Sequence, residues 1–159
     1  MSSMTDPMNA MKSLQAEIPN GIPLQICFVH KEVKMLFDRP NGLDRFSFVE
    51  LDKANKIIAF SVFVLTDSMQ GVPCLNVGYA VPTEVRGKGL GKNIVEKSLS
   101  ELTHILKQQG VNQFYVEAVI GTNNIASQKI AEKLFSSEFE QIKDCVSGSD
   151  AYYYRCLVS

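Results

Sequence analysis

The 159-residue chain has no tryptophan, two histidines and four cysteines, and these scarcities exclude several kinds of site. Cys27, Cys74, Cys145 and Cys156 lie far apart and form no C-x-x-C pair. With only His30 and His104 to join them, a structural zinc site is not expected and no metal ligand set is assigned. Long apolar runs are missing too. The longest, Ile57 to Leu65, is half of the roughly 20 residues a membrane helix needs and reads as a buried strand. The first dozen residues carry Asp6, Pro7 and Asn9 and no apolar run, so no secretory leader is expected. Scattered thiols without such a leader suggest a reducing cytoplasm. Charge of one sign is lacking as well: 16 Lys and Arg stand against 17 Asp and Glu, a net charge of -1. That balance gives no basic surface for nucleic acid, and an anionic ligand would have to be met by local donors.

What is present suits one ordinary folded domain, with 45% apolar and 21% charged residues. Residues 1–20 read as an N-terminal arm, loose or with a short helix around Ala10 to Ala16, and residues 21–159 as a single domain. Leu24 to Val29 reads as a strand. Val33, Leu36 and Phe37 share a helical face until Arg39-Pro40-Asn41-Gly42 stops it. Phe46, Phe48 and Leu51 begin a second strand, and Asp52 to Asn55 turns into Ile57 to Leu65. A loop, Thr66 to Val72, leads to a strand over Leu75 to Val81, completing a three-stranded meander in the first half.

Beyond Pro82 the period changes. Leu90, Ile94, Val95, Leu99, Leu102 and Leu106 predict a long amphipathic helix running to about Gln109 and ended by Gly110. Phe114 to Ile120 reads as a strand. Asn123 or Asn124 can cap a helix carrying Ile125, Ile130, Leu134 and Phe135. Glu138 to Val146 and Ala151 to Val158 suggest a closing hairpin. A strand, a long helix and a strand imply a parallel neighbour with a crossover, while both ends look antiparallel. The expected fold is α+β: a mixed, twisted sheet of about six to seven strands with helices on both faces.

The most informative stretch joins a strand to the long helix: Arg86-Gly87-Lys88-Gly89-Leu90-Gly91-Lys92. A helix start offers N–H groups without intrahelical partners and the positive end of the dipole. Glycines at 87, 89 and 91 allow positive φ and remove Cβ atoms that would block a phosphate. Arg86, Lys88 and Lys92 add positive charge. A P-loop is excluded, because Arg86 stands where it needs a glycine and Asn93 where it needs Ser or Thr. A dinucleotide fingerprint needs G-x-G-x-x-G, whereas the spacing here is G-x-G-x-G.

The hexapeptide Arg86 to Gly91 resembles the Q/R-x-x-G-x-G/A signature of the GNAT N-acetyltransferases, whose loop amides hold the diphosphate of coenzyme A. Further segments agree. Val77-Gly78-Tyr79-Ala80-Val81 resembles that family's fourth strand, with Gly78 as a bulge residue, and Val116-Glu117-Ala118-Val119 resembles the fifth. Asn124 to Leu134 resembles N-x-A-S-x-x-h-x-E-K-h (h, apolar) and is most similar to the ribosomal-protein N-acetyltransferase branch. The resemblance spans about residues 72–136 and implies acetyl-CoA as co-substrate, an amine acceptor, and no nucleic-acid or membrane partner. It leaves a homodimer open.

The resemblance also implies roles. Ala80, Val81, Arg86, Gly87, Lys88, Gly89, Leu90, Gly91, Lys92, Asn124 and Ser127 are the expected cofactor-binding residues, with main-chain N–H of Val81 or Ala80 polarising the thioester carbonyl. Glu117 is the expected base, Tyr79 an orienting hydroxyl, and Ser127 a proton donor to sulfur or a pantetheine ligand. No cysteine sits with a histidine beside these motifs, which favours direct attack by the amine over a covalent intermediate. Two departures stand out. Ala131 occupies the place where many relatives carry a tyrosine acid, and Phe135-Ser136 replaces the usual Gly-Phe. A catalytically silent acyl-CoA-binding domain, or a nucleotide-binding protein using the same cradle, are the competing readings.

Overall fold

The computed structural model of the protein describes residues 6–135, 139–143 and 150–159. Helix α1 spans Pro7–Glu17 and β1 Gln25–Ile26; β2 is Val33–Asp38, β3 Arg45–Leu51, β4 Ile57–Met69 and β5 Val72–Ala80. Helix α2 follows over Leu90–Gln108, then β6 Phe114–Gly121, α3 Ile125–Leu134, β7 Glu140–Lys143 and β8 Asp150–Val158. Among the described residues these strands form one sheet of eight, ordered β1-β2-β3-β4-β5-β6-β8-β7. All neighbours are antiparallel except β5 and β6, whose crossover is α2. The mixed α+β sheet expected from the sequence is present, one strand larger.

The first half differs from expectation in two ways. Val33, Leu36 and Phe37 are not helical. They lie in β2, which pairs with β3 from Val33↔Glu50 to Asp38↔Arg45. Three apolar residues are too short a run for periodicity to separate helix from strand, and the cross-strand ladder decides. The bidentate Arg45–Asp38 pair, at 2.8 and 2.5 Å, then closes the hairpin. Second, β4 runs on to Met69, and the expected loop shrinks to Gln70 and Gly71, both at positive φ as a tight hairpin requires. The three-stranded meander is therefore five strands. The closing hairpin forms as β7 and β8, with its expected turn at Ser147 to Ser149 outside the described residues.

Helices cover both faces. On one, Ile94, Val95 and Leu102 of α2 and Ala131 of α3 pack on Phe48, Phe63, Leu75, Val77, Val116 and Tyr154. On the other, Met11 and Leu14 of α1 pack on Val49, Ile57, Phe60 and Val62. Buried Glu101 of α2 accepts from the amides of Phe28 and Val29, at 3.0 and 2.8 Å, and so ties the chain before β2 to the helix. His104 stacks on Phe28 with ring centroids 4.5 Å apart, and His30 approaches Glu32 at the surface. No helix among the described residues is long and apolar enough to cross a membrane.

Candidate functional site

The parallel pair opens into a slot. Strands β5 and β6 are in register only at Cys74↔Tyr115, Leu75↔Val116 and Asn76↔Glu117. Beyond these, β5 continues to Ala80 and β6 to Gly121 without pairing to each other. A cavity of about 510 Å³ stands at this divergence. The sequence-predicted Tyr79, Ala80, Val81, Arg86, Gly87, Gly89, Leu90, Gly91, Lys92, Asn124 and Ser127 all line it.

The floor of the cavity is the start of α2. Gly89 is the N-cap, at φ +74°, and no side chain caps the helix. The first helical amide to find a carbonyl is that of Asn93, which donates to Gly89 O at 3.1 Å. The amides of Leu90, Gly91 and Lys92 therefore precede any intrahelical acceptor and carry the positive end of the dipole. A Cβ on Gly87 or Gly89 would meet no atom within 4 Å, so the space before these amides is open. Gly91 is different. Its Cβ would stand 3.2 Å from Ile130 Cδ1 and 3.6 Å from Val81 Cγ2, and its φ is not positive. It serves the close approach of α2 to α3, not φ freedom. Of the cations, Arg86 turns back, its Nε donating to Val81 O at 3.0 Å, and Lys92 stands 3.4 Å from Glu96.

Helix α3 forms the opposite wall. Asn124 caps it, accepting from the amide of Ser127 at 3.2 Å. The Tyr79 hydroxyl crosses the slot and donates to Ser127 O at 2.7 Å. Burial pushes the Tyr79 phenol well above its usual range, so it stays protonated and a donor. Gln128 Nε2 bonds Gly121 O and Thr122 O, both at 3.0 Å, holding the end of β6 to the helix.

Three expectations are corrected. Glu117 does not reach the cavity: it is buried at the apex of the slot, where Tyr153 donates to its Oε2 at 2.5 Å. Strand alternation turns it away from α2 and α3, which Val116 and Ala118 face. Lys88 is exposed and lies outside the lining, displaced by the turn between Gly87 and Gly89. Gly78 is no bulge, because β4 and β5 keep register from Phe60↔Ala80 to Thr66↔Cys74. It lies instead under Pro7, whose Cγ would stand 2.8 Å from an added Cβ.

The cavity also holds residues that sequence reasoning missed. Ala126, Lys129, Ile130 and Lys133 line it from α3. Their i, i+3, i+4, i+7 spacing marks one helix face and was legible as such. Asp6, Pro7 and Met8 line it from α1, and no local pattern announces them.

A family model described as the acetyltransferase (GNAT) family matches residues 11–135. No curated protein matches the sequence at a significant level. Among solved structures, a GNAT-family acetyltransferase from Streptococcus pneumoniae is 13% identical with a TM-score of 0.55, over 72% of this chain and 67% of that one. A ribosomal-protein alanine acetyltransferase from Vibrio fischeri is 21% identical with a TM-score of 0.52, over 70% of this chain and only 60% of its own. A ribosomal-protein-alanine N-acetyltransferase from Brucella melitensis is 13% identical with a TM-score of 0.51, over 98% and 81%. At these identities the likeness is one of fold.

Proposed function

The chain belongs to the acetyltransferase (GNAT) family, and from that premise we propose that it transfers the acetyl group of acetyl-CoA to a primary amine by direct attack in a ternary complex. One observation carries the reading: the uncapped amides of Leu90, Gly91 and Lys92 face an open cavity where the parallel strands β5 and β6 diverge. Such a helix start suits a diphosphate. Arg86, Lys92, Lys129 and Lys133 add the charge that coenzyme A phosphates call for. Ala80 and Val81 border the same cavity and are the main-chain candidates for the thioester arm.

In this reaction the amine nitrogen forms a bond to the thioester carbonyl carbon, the carbon–sulfur bond breaks, and the thiolate takes up a proton as the new amide nitrogen loses one. Tyr79 is the proton donor we assign. Its phenol reaches the first turn of α3 at Ser127 O, one turn before Ala131, and burial keeps it protonated. It thus brings a hydroxyl from β5 to the neighbourhood where many relatives use a tyrosine of the helix. Ser127 and Asn124 border the slot and are suited to the pantetheine arm. The free thiols of Cys27, Cys74 and Cys156 suit work in a reducing cytoplasm.

A silent acyl-CoA-binding domain is the second reading, favoured by the fully buried methyl of Ala131 where a hydroxyl is common. Release of free thiol from acetyl-CoA in the presence of a panel of primary amines tests the two. Turnover supports the transferase. Binding of acetyl-CoA with no thiol released from any amine favours the silent domain, and no binding at all removes both.

A further inference from the structure

Among the described charged residues that line the cavity, Arg86, Lys92, Lys129 and Lys133 are cationic and Asp6 alone is anionic. Its position is built, not incidental. Only glycine at position 78 lets Pro7 lie against β5, since a Cβ there would stand 2.8 Å from Pro7 Cγ. Pro7 opens α1 at its first position, and Asp6 Oδ1 accepts from the amide of Met8 at 3.0 Å, which anchors the Asp6 side chain to the helix start. The apolar Pro7 and Met8 continue the wall beside it.

We propose that Asp6 selects the acceptor, holding the second, non-reacting ammonium of a small aliphatic diamine. The inference rests on reading the cavity as an acetyl-CoA site. A carboxylate ion-paired with the reacting nitrogen raises that nitrogen's pKa and so opposes the neutral form that attacks. A carboxylate in this cavity therefore serves amine transfer by holding a different nitrogen of the same molecule, with the methylenes between them along Pro7 and Met8. Four cations would repel a dication from the empty cavity, and the phosphates of acetyl-CoA cancel that field. The amine therefore binds second.

The test is Asp6→Asn in the full chain. Asparagine caps a helix as well as aspartate does, so the variant removes the charge and keeps the cap. Asp6→Ser, another good cap, must behave alike. The readouts are kcat and KM for 1,4-diaminobutane and for 1-aminobutane, and the acetyl-CoA dissociation constant by calorimetry. The wild-type chain should prefer the diamine. Both variants should raise its KM about tenfold or more and leave the monoamine KM within twofold, while acetyl-CoA binds at least as tightly because an anion has left the cavity. If acetyl-CoA binds and the diamine loses no more than the monoamine, the Asp6 assignment is wrong and the transferase reading stands. Turnover of neither amine by the wild-type chain overturns the acceptor class. Failure of the wild-type chain to bind acetyl-CoA overturns the underlying reading as well.

Discussion

Replacement of Gly89 by valine separates the cost to the fold from the cost to the site. Gly89 sits at φ +74°, where a side chain is strained, but a Cβ there meets no atom within 4 Å. With no clash at Cβ, the loss of stability is chiefly the left-handed penalty, at least about 1–2 kcal/mol for a β-branched residue. The valine side chain would occupy the open space before the amides of Leu90, Gly91 and Lys92. A hydrogen bond to a charged acceptor contributes about 1.5–3 kcal/mol, so forfeiting two of the three costs about 3–6 kcal/mol. That is about 140-fold to 20,000-fold in the dissociation constant. Urea unfolding measures the first quantity and calorimetric titration with acetyl-CoA the second. A variant that loses about the expected stability but binds acetyl-CoA within threefold of the original would refute the cradle.

Other outcomes follow from single side chains. Tyr79→Phe should lower kcat at least tenfold while acetyl-CoA affinity changes less than threefold, because it removes the donor and leaves the cradle; an unchanged kcat means another group protonates the thiolate. Tyr153→Phe should cost about 1–3 kcal/mol in urea unfolding, because it strips a hydrogen bond from buried Glu117, and should leave turnover intact. Loss of turnover in that variant would return Glu117 to the reaction. Burial first, then the carboxylates of Glu101 and Glu32, push the Cys27 thiol from 9.0 up to about 12. The unfolded thiol thus ionises before the folded one. Its contribution is complete below pH 9 and is lost as pH rises toward 12, by at most about 1.4 kcal/mol per pH unit. Cys27→Ala should flatten the stability profile over that window, and an unchanged alkaline slope would contradict the assignment.

The glycine turn was legible because its chemistry is carried by main chain, and spacing alone says where main chain is bare. Helix α2 was legible as well, since six apolar residues repeat over its length. Strand β2 was not, because Val33, Leu36 and Phe37 follow the helical spacing, whereas the strand sends Val33 and Leu36 to opposite faces of the sheet and only pairing with β3 selects it. Glu117 lies on the expected strand, yet its face depends on which side α2 packs, a tertiary fact. Asp6, Pro7 and Met8 reach the site through the glycine 72 residues or so downstream at position 78, and no local pattern links the two segments.

Amide chemical shifts followed by NMR during titration with acetyl-CoA observe the main-chain groups themselves. The account predicts the largest changes at Gly87, Gly89, Leu90, Gly91 and Lys92, with smaller ones at Ala80 and Val81. Saturable binding whose largest changes fall elsewhere, with those five amides still, would contradict it.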